Sequence, residues 1–137
     1  MNFVGFFSSL VLALMFGSQV FAQTTHVMSC TTQTEGMETP TITVDLIVQT
    51  ESTADFVMLN LVDQGQTTTL FTQLEKGELM QSLASGGLTQ VFLKEDFKIE
   101  DGAIRNSGIF AIAVTGKKAE GLLAALGNLY PLACDLH

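Results

Sequence analysis

The stretch from Pro40 to Thr50, PTITVDLIVQT, decides the fold because apolar residues recur in it at every second position. One face of the stretch would carry Ile42, Val44, Leu46 and Val48, and the other Thr41, Thr43, Asp45 and Gln49. Successive side chains of a strand point to opposite faces of a sheet. The stretch therefore predicts a strand with one side on a core and one side in water.

Similar short runs follow along the chain and are separated by turn-forming residues. The predicted strands are Ala54–Asp63, Thr67–Leu74, Leu79–Leu83, Leu88–Lys94, the alternating segment from Phe97 to Glu100, and Ile109–Thr115. The turn signals are Asp63-Gln64-Gly65-Gln66, Glu75-Lys76-Gly77-Glu78, Ser85-Gly86-Gly87, Asp101-Gly102 and Asn106-Ser107-Gly108. The pattern predicts an all-β fold, a small antiparallel β-barrel or sandwich of about seven to nine short strands.

Residues 118–127 fit two local structures. As a helix, the segment has good helix formers and ends at Gly127, a typical C-terminal cap. As a strand, the alternate residues from Leu122 to Leu136 fall on one face. Gly121 weakens the helix because glycine is unfavourable inside one. We favour the strand and keep a short helix near 118–127 as the alternative.

The first 22 residues predict a cleavable signal peptide. An apolar run of signal-peptide length, Leu10–Phe16, is followed by polar residues and by Val20-Phe21-Ala22, which suits a signal peptidase that cuts after Ala22. Alternatives are an uncleaved anchor over 3–22 and a lipoprotein acylated at Cys30. Cleavage leaves one β domain over 23–137, and we expect a secreted protein, periplasmic or extracellular.

The composition restricts the partners. A formal net charge of −8 makes nucleic acid and anionic membranes poor partners, and no stable membrane insertion is expected after the signal is removed. An unknown protein or another cell-envelope component is the expected partner.

Two cysteines stand near opposite ends of the predicted domain. In an oxidising compartment Cys30 and Cys134 are expected to form a disulfide that joins the first strand to the last. The spacings from His26 to Cys30 and from Cys134 to His137 leave a zinc site as the alternative. We expect the disulfide and no bound metal or other cofactor.

The remaining polar residues do not form a sequence pattern that indicates catalysis. A hydrolytic triad could use Ser85 or Ser107, but neither has a nucleophile-elbow sequence. The acid pairs Glu95/Asp96 and Glu100/Asp101 lack calcium-loop spacing and are expected on a solvated face, with Arg105 as an exposed turn residue. No catalytic residue is assigned.

The arrangement is similar to that of the inhibitors of C-type lysozyme, small envelope proteins that are compact β-barrels with one cysteine in the first strand and another near the C-terminus. The resemblance implies a fold alone. The Ser-Gly-x-x-Tyr loop of that family is not present, since the nearest stretch, Ser85 to Thr89, has threonine where the family has tyrosine.

These observations leave several functions open. We expect a non-enzymatic protein that binds another macromolecule. The alternatives are a barrel that holds an apolar ligand among its phenylalanines, namely Phe56, Phe71, Phe92, Phe97 and Phe110, and an envelope inhibitor. A hydrolase or metal enzyme that uses His26 and His137 is a further alternative.

Overall fold

The computed structural model of the protein describes residues 23–32 and 42–137. They form β1 (Gln23–Thr32), β2 (Ile42–Thr50), β3 (Ala54–Asp63), β4 (Gln66–Glu75), α1 (Glu78–Ala84), β5 (Gly87–Glu100), β6 (Ala103–Thr115), β7 (Lys118–Ala125) and β8 (Asn128–Leu136). Each strand pairs antiparallel with the next, and β1 pairs with β8. The fold is a closed β-barrel, which confirms the predicted all-β class and decides between barrel and sandwich. The predicted signal peptide and the start of the Pro40–Thr50 stretch lie outside the described residues.

The barrel interior is filled by side chains from all eight strands. β2 follows the predicted alternation, since Val44, Leu46 and Val48 are buried while the residues between them are partly exposed. Phe92 and Phe110 are fully buried and meet edge to face, with ring centroids 6.1 Å apart. The two rings and their aliphatic neighbours form one continuous core.

The segment Leu79–Leu83, predicted as a strand, is instead part of helix α1. Leu79 and Leu83 are buried one helical turn apart while Met80 and Gln81 are exposed, which is the pattern of an amphipathic helix. The turn before the helix is held by Asp55, a buried carboxylate whose Oδ2 accepts the Gly77 N–H at 2.9 Å. A run this short gives too few periods to separate a helix from a strand.

The alternative helix near 118–127 is wrong, because β7 occupies Lys118–Ala125. The continuous face from Leu122 to Leu136 is also wrong: Leu126 and Gly127, both with left-handed backbone, make a turn that separates β7 from β8. Gly121 has a packing role in β7, since a Cβ there would overlap the Ala111 carbonyl oxygen.

The turn predicted at Asn106-Ser107-Gly108 is also wrong, because β6 runs through it without a break. The pairing with β5 shifts there: Leu93 faces Ser107, Lys98 faces Arg105, and Asn106 is left opposite the four residues between Leu93 and Lys98. Asn106 has a positive φ of 58° and donates a hydrogen bond from Nδ2 to the Asp96 carbonyl at 3.1 Å. Asn106-Ser107-Gly108 therefore marks an irregularity in the strand pairing within the long β5–β6 hairpin.

Two seams of the barrel differ from the rest. β4 and β5 pair at only two positions, Leu70 with Lys94 and Phe71 with Leu93, and α1 packs against both strands. β1 and β8 pair over five positions, from Met28 opposite Leu136 to Thr32 opposite Leu132. No helix in the described part of the chain is long and apolar enough to cross a membrane.

Candidate functional site

The cysteine pair lies on the inner side of the β1–β8 seam. Cys30 and Cys134 are opposite each other in the register, with Cα atoms 4.0 Å apart, and are joined by a disulfide bond as predicted. Both residues are almost fully buried, at 1% and 3% exposure. The bond is consistent with an oxidising, extracytoplasmic location.

A bulge in β1 places His26 and Cys30 on opposite faces of the barrel wall. The pairing of β1 with β2 shifts between His26 and Met28, and Val27 and Met28 are both buried although they are consecutive. The extra residue turns His26 to the outside of the barrel while Cys30 points inward. The candidate ligands of the zinc alternative therefore lie on both faces of the barrel wall and do not surround one ion.

The two histidines meet on the outer side of the same seam. Their ring centroids are 4.5 Å apart, and the His137 N–H donates to the Val27 carbonyl at 2.9 Å, which fixes the last residue on β1. Ser29 Oγ lies between the rings, 3.2 Å from His26 Nε2 and 2.9 Å from His137 Nε2. His26 Nε2 is also 2.9 Å from Asp45 Oδ1 on β2. We call His26, Ser29, Asp45 and His137 the histidine cluster.

The histidine cluster contains serine, histidine and aspartate but does not have the geometry of a hydrolytic triad. In a triad the histidine contacts the serine through one ring nitrogen and the acid through the other. Here Ser29 and Asp45 both contact Nε2 of His26. Of the serines singled out in the sequence, Ser85 lies in the turn after α1 and Ser107 lies on β6.

The acid pairs are exposed at the end of the β5–β6 hairpin. Asp96 lies 3.7 Å from Lys94, and Glu100 lies 4.0 Å from Arg105. The four acidic residues, Glu95, Asp96, Glu100 and Asp101, are all exposed, as expected of a solvated surface. Within residues 23–32 and 42–137, no group of three or more His, Cys, Asp or Glu side chains is placed to hold a metal ion.

A continuous apolar patch covers the outside of β5 to β8. One row across the strands runs from Val91 through Ile109 and Ala124 to Leu129, and the next runs from Ala111 through Leu122 to Pro131. Among its large side chains, Leu129 is 65% exposed, Ile109 48%, Val91 41% and Leu122 36%. We call these seven residues the apolar outer face. The alternation along the sequence did not reveal it, because it placed Leu122 and Ala124 on one face with Cys134, which is buried in the structure.

The phenylalanines predicted to line a pocket are divided between the core and the outside of the barrel. Phe92 and Phe110, two of the phenylalanines predicted to line a pocket, are fully buried in the core, while Phe56, Phe71 and Phe97 are between 37% and 40% exposed on the outside. A groove of about 560 Å³ lies outside the core beside the β4–β5 seam and is lined by residues such as Thr67, Thr69 and Lys94. The five rings therefore do not face one common space among the described residues.

Comparison of the chain with protein families, with curated proteins and with solved structures finds no match in any of the three.

Proposed function

We propose that the protein is an exported, non-enzymatic binding protein that attaches to another protein through the apolar outer face. The observation that carries the proposal is the pair of adjacent apolar rows, one across four neighbouring strands and the other across three of them. Isolated exposed apolar residues are normal on a protein surface, but a contiguous patch of them is typical of an interaction site.

The residues around the patch support a protein as the partner. The next row of outward positions, Ala113, Glu120 and Ala133, carries a single charge. Depletion of charged residues is typical of the centre of a protein–protein interface. The net charge of −8 argues against nucleic acid and anionic lipid as the partner.

The patch is tested with one charge substitution on it and a matched one elsewhere. Ile109→Asp places a carboxylate at the middle of the apolar outer face, and Gln73→Asp places one on β4 at an exposed position outside it. The partner is identified by cross-linking in the native compartment, then purified and titrated with each variant. We expect Ile109→Asp to weaken the complex at least about tenfold, because it buries an unpaired charge, and Gln73→Asp to leave it unchanged. Equal affinity of the two variants would contradict the proposal.

The same titration distinguishes inhibition of an enzyme from binding without inhibition. If the partner is an enzyme that loses activity in the complex, the protein is an inhibitor, one of the alternatives left open by the sequence.

The export part of the proposal is supported by the buried disulfide. It is checked by cell fractionation and by the N-terminal sequence of the mature protein, which is expected to begin at Gln23.

A further inference from the structure

We propose that His26 and His137 form a two-histidine site for a divalent transition-metal ion such as Zn²⁺ or Cu²⁺. Asp45 would lie beside the ion as a neighbouring carboxylate. The site is independent of the apolar outer face and of the partner proposed above.

The proposal rests on the close approach of the two imidazole rings to each other and to Ser29. The Nε2 atoms of both rings lie within hydrogen-bond distance of one atom, Ser29 Oγ, at 3.2 Å for His26 and 2.9 Å for His137. Two ring nitrogens this close to a common point can act as ligands of one metal ion. Zinc bonds to histidine nitrogens are about 2.0–2.1 Å long, so the ion would lie between the nitrogens and closer to them than Ser29 Oγ does.

The strands position both rings for this role. His26 stands on the outside of β1 because of the bulge at Val27, and His137 is tied to β1 by its backbone hydrogen bond to the Val27 carbonyl. The rings are already in contact, with centroids 4.5 Å apart. Metal binding would therefore draw on two side chains that the fold already holds next to each other.

The chemistry of the neighbours suits a cation. Imidazole nitrogen is a preferred ligand of Zn²⁺ and Cu²⁺. Asp45 Oδ1 is 2.9 Å from His26 Nε2 and about a third of its side chain is exposed, so it can turn to accept a hydrogen bond from a metal-bound water. Since the described residues provide no three-ligand group, water would complete the coordination.

The proposal is tested on untagged, disulfide-bonded protein that has been stripped of metal with a chelator. Zn²⁺ is titrated by calorimetry into the wild type, His26→Ala, His137→Ala and Ser29→Ala. We expect one ion per chain for the wild type and an affinity at least about tenfold lower after loss of either histidine. Ser29→Ala is the matched control: it removes the hydroxyl between the rings and leaves both nitrogens, so binding is expected to persist.

Cu²⁺ provides a spectroscopic readout that a purely structural role would not produce. Electron paramagnetic resonance of the copper-loaded wild type should show coupling to two imidazole nitrogens, and each histidine variant should show coupling to one. The proposal is overturned if the wild type binds neither ion, if only one histidine matters, or if Ser29→Ala loses binding as fully as the histidine variants do. Thermal unfolding without metal checks that the variants are folded.

Discussion

Replacing Cys30 and Cys134 together with alanine is expected to lower the free energy of unfolding by about 4 to 5 kcal/mol. The cysteines are 104 residues apart in the sequence. In the chain-entropy model, a cross-link that closes a loop of about 100 residues removes denatured-state freedom worth about 4.7 kcal/mol at 25 °C. Because both sulfur atoms are buried in the core, their lost packing adds to this amount. The total is a large part of the roughly 5–15 kcal/mol that stabilises a typical domain.

Urea unfolding measured by circular dichroism tests the prediction on three samples: the oxidised wild type, the reduced wild type and the double alanine variant. The reduced wild type separates loss of the bond from loss of the sulfur atoms, since it keeps both cysteines. We expect both altered samples to unfold at clearly lower urea concentrations than the oxidised protein. The extrapolated free energy of unfolding is uncertain by about 1 kcal/mol. If the oxidised protein and the double variant had free energies of unfolding within that amount of each other, the loop-closure argument would be refuted.

Three further predictions concern the barrel wall, the core and the surface. Gly121→Ala is expected to cost about 1–3 kcal/mol in urea unfolding, because the new Cβ would overlap the Ala111 carbonyl oxygen; an unchanged midpoint would contradict the close approach. Phe92→Ala removes a ring that is fully buried and should cost about 3–5 kcal/mol, whereas a loss under about 1 kcal/mol would mean that the ring is not in the core. Lys118→Ala breaks an ion pair with Asp135 in which both side chains are mostly exposed, so its thermal midpoint should stay close to that of the wild type; a large fall would contradict this weak role.

The fold could be predicted where local pattern and tertiary packing agree. Val44, Leu46 and Val48 alternate in the sequence and are buried in the structure, and the turn at Gln64-Gly65 joins β3 to β4 where the sequence places it. The closed barrel was one of two predicted forms, because local alternation gives strands but not their neighbours. The pairing of Cys30 with Cys134 was the feature that brought the first and last strands together.

Two of the wrong predictions came from backbone features that residue types do not reveal. Leu126 adopts a left-handed conformation in the turn between β7 and β8, which is rare for leucine, so the alternation through it looked unbroken. Asn106, Ser107 and Gly108 resemble a hairpin turn, but β6 continues through them with an irregular pairing at Asn106.

The candidate site was predictable only in part. Pairing of the terminal strands was enough to place His26 near His137. The bulge at Val27 decides which face His26 takes, and nothing in the surrounding residues signals that bulge. Ser29 and Asp45 were therefore missed as members of the histidine cluster.

The disulfide across the β1–β8 seam also shapes how the chain can refold. It joins residues 104 positions apart at the one seam that pairs the first described strand with the last, and contacts so distant in sequence form slowly. The protein has two cysteines, so a single intramolecular pairing exists and no scrambled isomer can form within one chain. Wrong disulfides can arise only between molecules. The yield of oxidative refolding should therefore fall as protein concentration rises, and dilution alone should restore it.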